Sequence, residues 1–127
     1  MPGTRSNAFP VHAVVSSFNA GAVTAALTLT EYVCLFPGRI GAIKANAQTA
    51  GVGAGNAVLD VLLNGTSIWT TAGNRPTLLG TATGEFANTA PDSRAVQPGD
   101  RLLLQSATIP ATTGHARLMF SVAIEGS

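Results

Sequence analysis

The chain has little charge, little sulfur and few aromatic rings, and each shortage closes off a class of function. Of its 127 residues only 10% are charged and 6% aromatic, with one cysteine, one tryptophan and two histidines. A lone Cys34 cannot close an internal disulfide, and no CxxC or Cys/His spacing suggests zinc. It reads as a small buried hydrophobe. The seven basic residues stand singly and the net charge is +1, so the basic footprint of a nucleic-acid binder is missing. The most apolar stretch, residues 20–29, is broken by Thr24 and Thr28 and falls well short of the ~20 residues of a membrane-spanning helix. Pro10, His12 and Ser16-Ser17 interrupt what would have to be the apolar part of a signal peptide. Neither nucleic acid nor membrane is expected as a partner.

Catalytic constellations are also scarce. Gly51, Gly53 and Gly55 superficially suggest a phosphate loop, but a β run and an Asn-Gly turn follow where a helix N-terminus would be needed. His12 and His115 lie near opposite ends of the chain, and His115, next to Gly114 in a turn, is expected to be solvated. Glycosidase chemistry needs two facing carboxylates, and Asp60, Glu85, Asp92 and Asp100 show no such pairing. Asp92 and Asp100 are expected to hold turns by accepting bonds from backbone amides. Asn64-Gly65-Thr66 matches a glycosylation sequon, yet a tight turn already explains the Asn and Gly. The expectation is a non-enzyme, with no catalytic residues, no cofactor and no metal site.

What the chain does have is apolar content of 46%, rich in alanine and valine, set among Thr, Ser, Asn and Gln. Ordinary globular domains carry about 25% charged residues. A surface solvated by hydroxyls and amides suits a protein partly covered by neighbours. The length fits one domain able to bury roughly two-thirds of its unfolded surface.

The dominant period is two. Leu118, Phe120, Val122 and Ile124 alternate with Arg117, Met119, Ser121 and Glu125, which gives a strand with one buried face. Leu27, Leu29, Val33 and Leu35 share a parity that Glu31 breaks, so Glu31 is expected at an edge, a bulge or an interface. Asn64-Gly65 between two strand-like runs calls for a two-residue type I′ hairpin. Its register would pair Leu63 with Thr66, Val61 with Ile68 and Leu59 with Thr70 on the core face. Asp60 and Trp69 would then face each other on the less buried side. Gln97-Pro98-Gly99-Asp100 has the type II turn pattern.

About eight strands follow, near 11–17, 24–36, 39–47, 57–63, 66–71, 77–82, 101–108 and 116–125. The expected fold is all-β, an antiparallel sandwich of jelly-roll-like type over residues 9–127, with residues 1–8 as an extended arm.

The run from Val58 to Ile124 resembles bacteriophage virion proteins. The resemblance is carried by the apolar strand ending in Asn64-Gly65-Thr66-Ser67-Ile68, a Thr/Gly-rich middle, Val96-Gln97-Pro98-Gly99-Asp100-Arg101-Leu102 and the closing alternating strand. Gly38-Arg39-Ile40-Gly41-Ala42-Ile43 fits the strand that precedes the hairpin. Similar arrangements occur in capsid decoration (cement) proteins, head fibres and tail-fibre knobs, and related turns in cellular jelly rolls of the tumour-necrosis-factor and complement types.

The resemblance implies a structural protein on the outside of an assembled capsid, bridging major capsid subunits and associating with itself as a homotrimer, or alternatively a dimer. It implies no active-site residues. Arg5, Asn7 and Phe9 of the arm would then supply a charge pair, an amide bond and an apolar anchor. The alternative is a tail or head-fibre component recognising a host glycan, with Trp69 stacking on a sugar beside Asp60. Against that stands burial of Trp69 by a second sheet or subunit.

Overall fold

The computed structural model describes residues 11–80, 82–83, 85–87, 91–92 and 94–126. The arm expected over residues 1–8, with Arg5, Asn7 and Phe9, lies outside them.

Among the described residues ten antiparallel strands form two facing sheets. They are β1 (Val11–Asn19), β2 (Leu27–Val33), β3 (Gly38–Asn46), β4 (Ala57–Leu63), β5 (Thr66–Ser67), β6 (Thr77–Leu78), β7 (Glu85–Ala87), β8 (Ala95–Val96), β9 (Arg101–Thr108) and β10 (Leu118–Glu125). One sheet runs β1-β10-β3-β8 and the other β2-β9-β4-β6-β7, with β5 attached to β4. The first strand thus pairs with the last, the second with the ninth and the third with the eighth. This nesting is the jelly-roll-like sandwich that the alternating pattern predicts.

The core lies between the sheets. Leu118, Phe120, Val122 and Ile124 enter it from β10, Ile40, Ile43 and Ala45 from β3, and Val15 from β1. Leu102 and Leu104 of β9, Ala57, Leu59 and Val61 of β4 and Leu78 of β6 face them. Each fully buried aliphatic side chain contributes about 1.5–3 kcal/mol. A bulge keeps the β3 part of this inward set intact. In β3, Gly41 and Ala42 together oppose the single Ala123, so Ile40 and Ile43 both point inward although they are three residues apart.

The bulge in β2 overturns an expected parity. Leu29 is the extra residue between the pairs Thr28–Gln105 and Thr30–Leu104. Beyond it Tyr32 and Cys34 turn toward the core, while Glu31, Val33 and Leu35 are exposed. Glu31 therefore does sit beside a bulge on an edge strand, but Val33 and Leu35 do not share the buried face of Leu27 and Leu29.

Both expected turns form. Asn64 and Gly65 have φ of 52° and 91°, the left-handed pair of a type I′ turn. Gly99 has φ of 92° and the Asp100 amide donates to the Gln97 carbonyl at 3.1 Å, closing the type II turn. The hairpin register holds for Leu63–Thr66, and the Ile68 amide still reaches the Val61 carbonyl at 3.0 Å. It then stops. The edge of β4 beyond is taken by β6, through Ala57–Leu78 and Val58–Thr77, so Leu59–Thr70 and Asp60–Trp69 do not form. The two-residue β8 and three-residue β7 were not expected from the sequence, being too short for a period to show.

His115 is buried rather than solvated. Its Nε2 lies 3.0 Å from the Leu79 carbonyl and 2.8 Å from that of Ala82, so Nε2 carries the hydrogen and donates to that turn. The preceding Gly114 amide donates to the Val23 carbonyl at 2.7 Å, and a Cβ on Gly114 would run into that oxygen. Gly114→Ala is expected to destabilise the fold by about 1–3 kcal/mol, read as a lower urea midpoint at unchanged slope. An unchanged midpoint would show that residues 23 and 114 separate without cost.

Candidate functional site

Asp60 and Trp69, the pair singled out in the sequence, do come close together, but inside the protein. Each is only 2% exposed. Asp60 Oδ1 accepts from the Ser67 hydroxyl at 2.7 Å and from the Val61 amide at 2.8 Å, and Oδ2 lies 3.5 Å from Arg75 Nε. The Trp69 amide donates to Ser67 Oγ at 3.2 Å. One residue on, Asp92 Oδ2 accepts from both the amide (2.8 Å) and the hydroxyl (2.9 Å) of Thr70, while the Asp92 amide donates to the Ile68 carbonyl at 2.9 Å. These bonds draw residues 68–70 away from β4 and fold the indole into the core cluster. The less buried side expected for Trp69 is corrected, and the alternative of burial inside the sandwich holds: the indole offers no face to a sugar, and Asp60 is a buried carboxylate bonded by a hydroxyl and an amide and ion-paired with a guanidinium.

Asp100 joins two turns. Its Oδ2 accepts from the Gln97 amide at 2.8 Å and its Oδ1 from Asn64 Nδ2 at 3.1 Å, while Asn64 Oδ1 accepts from the Arg101 amide at 2.9 Å. Two backbone bonds add Cys34: its amide donates to the Asp100 carbonyl, and the Gly99 amide donates to its own carbonyl, both at 2.8 Å. The three connections thus form one braced end of the sandwich. From it project Val33, Leu35 and Phe36, at 53%, 67% and 61% exposure. Burial, and after it the Asp100 charge, push the Cys34 thiol above its ordinary value of 9.0, so it is protonated and unreactive near neutral pH.

A second surface is the outer face of the four-stranded sheet. Cross-strand rows there run Phe18–Met119–Asn46 and Ser16–Ser121–Lys44, with Val14 beside Ala123. Val14, Phe18 and Met119 are all exposed, and Arg117 stacks over the Phe18 ring at 5.7 Å. A third is an open cleft of about 350 Å³ along β3, where Arg39, Lys44 and Arg94 surround the single carboxylate of Glu125. Arg39 Nε is 3.6 Å from Glu125 Oε1, which leaves a cationic excess suited to an acidic side chain. Among the described residues no three His, Cys, Asp or Glu side chains converge to hold a metal.

Sequence reasoning missed the apolar groups at both the braced end and the sheet face. The signal for Met119 was its place opposite the buried set of β10. For Val33 and Leu35 it was hidden by the bulge at Leu29.

Scans against protein-family models, curated proteins and solved structures find no match to this chain.

Trp69→Ala is expected to cost about 3–5 kcal/mol of stability, as truncation of a core aromatic does. Urea unfolding unchanged by the substitution would mean that the indole is not packed. A pH effect follows from the two turn-holding carboxylates. Bonds from Thr70 hold Asp92 below the ordinary 3.8, and bonds from Asn64 and Gln97 hold Asp100 below it. Their contribution is present above the unfolded value and lost as pH falls through the lowered folded values. Melting temperature should therefore drop on acidification below the ordinary carboxylate range, and drop less in a D92N/D100N double variant. Equal acid sensitivity of that variant would place the linkage elsewhere.

Proposed function

We propose that this chain is a structural virion protein that binds the outside of an assembled phage capsid, bridges neighbouring major capsid subunits and associates with further copies of itself. One observation carries the reading: among the described residues nine large hydrophobic side chains are exposed, four of them above 55%, on a sandwich with 10% charged residues. Leu35 and Phe36 stand 67% and 61% exposed on a braced end. A protein covered by neighbours uses them as apolar anchors, while neutral hydroxyls and amides fill the rest of a broad contact.

The jelly-roll-like nesting and the two turns agree with the resemblance to capsid decoration and head-fibre proteins, and the cationic cleft along β3 suits acidic groups on the partner. The fibre alternative, recognition of a host glycan, drew on an exposed Trp69. With the indole buried, that reading has no stacking surface at that position.

The test is co-sedimentation with expanded capsids followed by heating of the decorated shells. Binding together with raised heat resistance is expected. L35S/F36S should weaken binding by on the order of tenfold per side chain while the free protein keeps the far-ultraviolet spectrum of the natural chain. Deletion of residues 1–8 should also loosen binding with the fold intact. An L35S/F36S chain that binds as well as the natural one would remove the braced end from the interface, and failure of the natural chain to bind any expanded shell would overturn the reading.

A further inference from the structure

The four edges of the sandwich are not equally protected. Exposed edge strands are templates for further pairing, and proteins blunt them with short length, charge, proline or a bulge. Here β8 has two residues and β7 three. The β2 edge is interrupted by its bulge at Leu29 and presents Glu31 outward. The remaining edge, β1, is nine residues long, and its sequence VHAVVSSFN contains no Lys, Arg, Asp, Glu or Pro. Its register with β10 is unbroken from Ala13 to Asn19, and among the described residues its other side pairs with nothing.

The outer face of the same sheet is graded toward that edge. Two cross-strand rows begin apolar or neutral on β1 and become polar on β3: Phe18, Met119, Asn46 in one, Ser16, Ser121, Lys44 in the next. The apolar column of Val14 (61% exposed) and Phe18 (54%) therefore stands at the boundary of the molecule, where within one copy the Arg117 guanidinium covers only part of Phe18.

We propose that two copies of this chain pair their β1 strands antiparallel about a two-fold axis, joining two four-stranded sheets into one of eight strands. A two-fold across an antiparallel pair sets one residue opposite its own symmetry mate. With Ser16 on the axis, Val14 of each copy faces Phe18 of the other, and the two apolar columns become one stripe at the centre of the joined face. Lys44 of each copy lies three strands from the axis, so no like charges meet. The strand is self-complementary because it is uncharged, which is what selects a second copy over a charged peptide as the occupant. The proposal concerns the free protein and does not depend on capsid binding. It selects the dimer over the trimer, since an edge pairing of this kind closes with two copies.

The experiment is light scattering and sedimentation of the full-length protein over a concentration series, with two variants. The natural chain should run at twice its monomer mass. V14K/F18K, which places two charges on the free edge, should run as a monomer with the same far-ultraviolet spectrum. Ser16→Cys should oxidise to a covalent dimer without denaturant, its only other thiol, Cys34, being buried. A natural chain that stays monomeric or forms a trimer overturns the proposal, as does a dimer that survives V14K/F18K. A Ser16→Cys chain that cross-links only after unfolding overturns the Ser16 register.

Discussion

The antiparallel ladder of β10, bonded to β1 on one side and β3 on the other, is the joint on which the other contacts depend. Strands β1 and β3 do not pair with each other, so without residues 118–125 the four-stranded sheet does not exist. The same strand supplies Leu118, Phe120, Val122 and Ile124, a large share of what Leu59, Val61, Leu102 and Leu104 pack against from the other sheet. Because Val11 pairs with Glu125, the closure joins residues more than a hundred positions apart. Loop-closure entropy must be met before such a pairing is rewarded, and a fold of this type assembles slowly relative to its stability.

Closing the ends this way leaves a long middle section to organise, and polar groups do that, the buried Asp60 and His115 and the exposed Asp92. Asp60 holds β5 through Ser67 and the turn before β6 through Arg75. Asp92 holds residues 68–70, and His115 clasps the turn after β6. A partly satisfied network of this sort would cost more than an apolar replacement. Among the described residues Asp60 accepts two hydrogen bonds and His115 Nε2 donates to two carbonyls, whereas Arg75 Nε and His115 Nδ1 have no hydrogen-bond partner; the separations in sequence, 7 for Asp60–Ser67 and 36 for His115–Leu79, share no common pattern.

That difference in range sets what could be read from the residues. Period two in β10, Asn64-Gly65 and Gln97-Pro98-Gly99-Asp100 are local statements about φ and facing, and they were legible along with the fold class. The parity of Val33 and Leu35 was not, because a single bulged residue, Leu29, inverts every position after it. Trp69 was placed by extrapolating the hairpin two residues beyond where it ends, and the bond that ends it comes from Asp92, across a stretch with no periodic signal. His115 looked solvated beside Gly114, and its carbonyl partners lie more than thirty residues away. The apolar surface groups were invisible for the complementary reason: exposure is decided by which neighbours are missing.

Sparse charge then determines how such a surface can work. Salt screens charged contacts beyond about 10 Å at ordinary ionic strength, whereas contacts made by Leu35, Phe36, Val14 and Phe18 keep their strength. Such contacts lack long-range steering, so association is slower and specificity must come from shape. Small apolar anchors are individually weak. Two of them on one rigid body become strong together when geometry lets both engage, because the second contact forms at high effective concentration. A two-fold pair joined through β1 would carry two braced ends in fixed relation, and a repeating shell is the kind of partner that presents matching sites at fixed spacing. On the proposed reading the unprotected edge and the exposed anchors are one design: the first would set the spacing that lets the second act together.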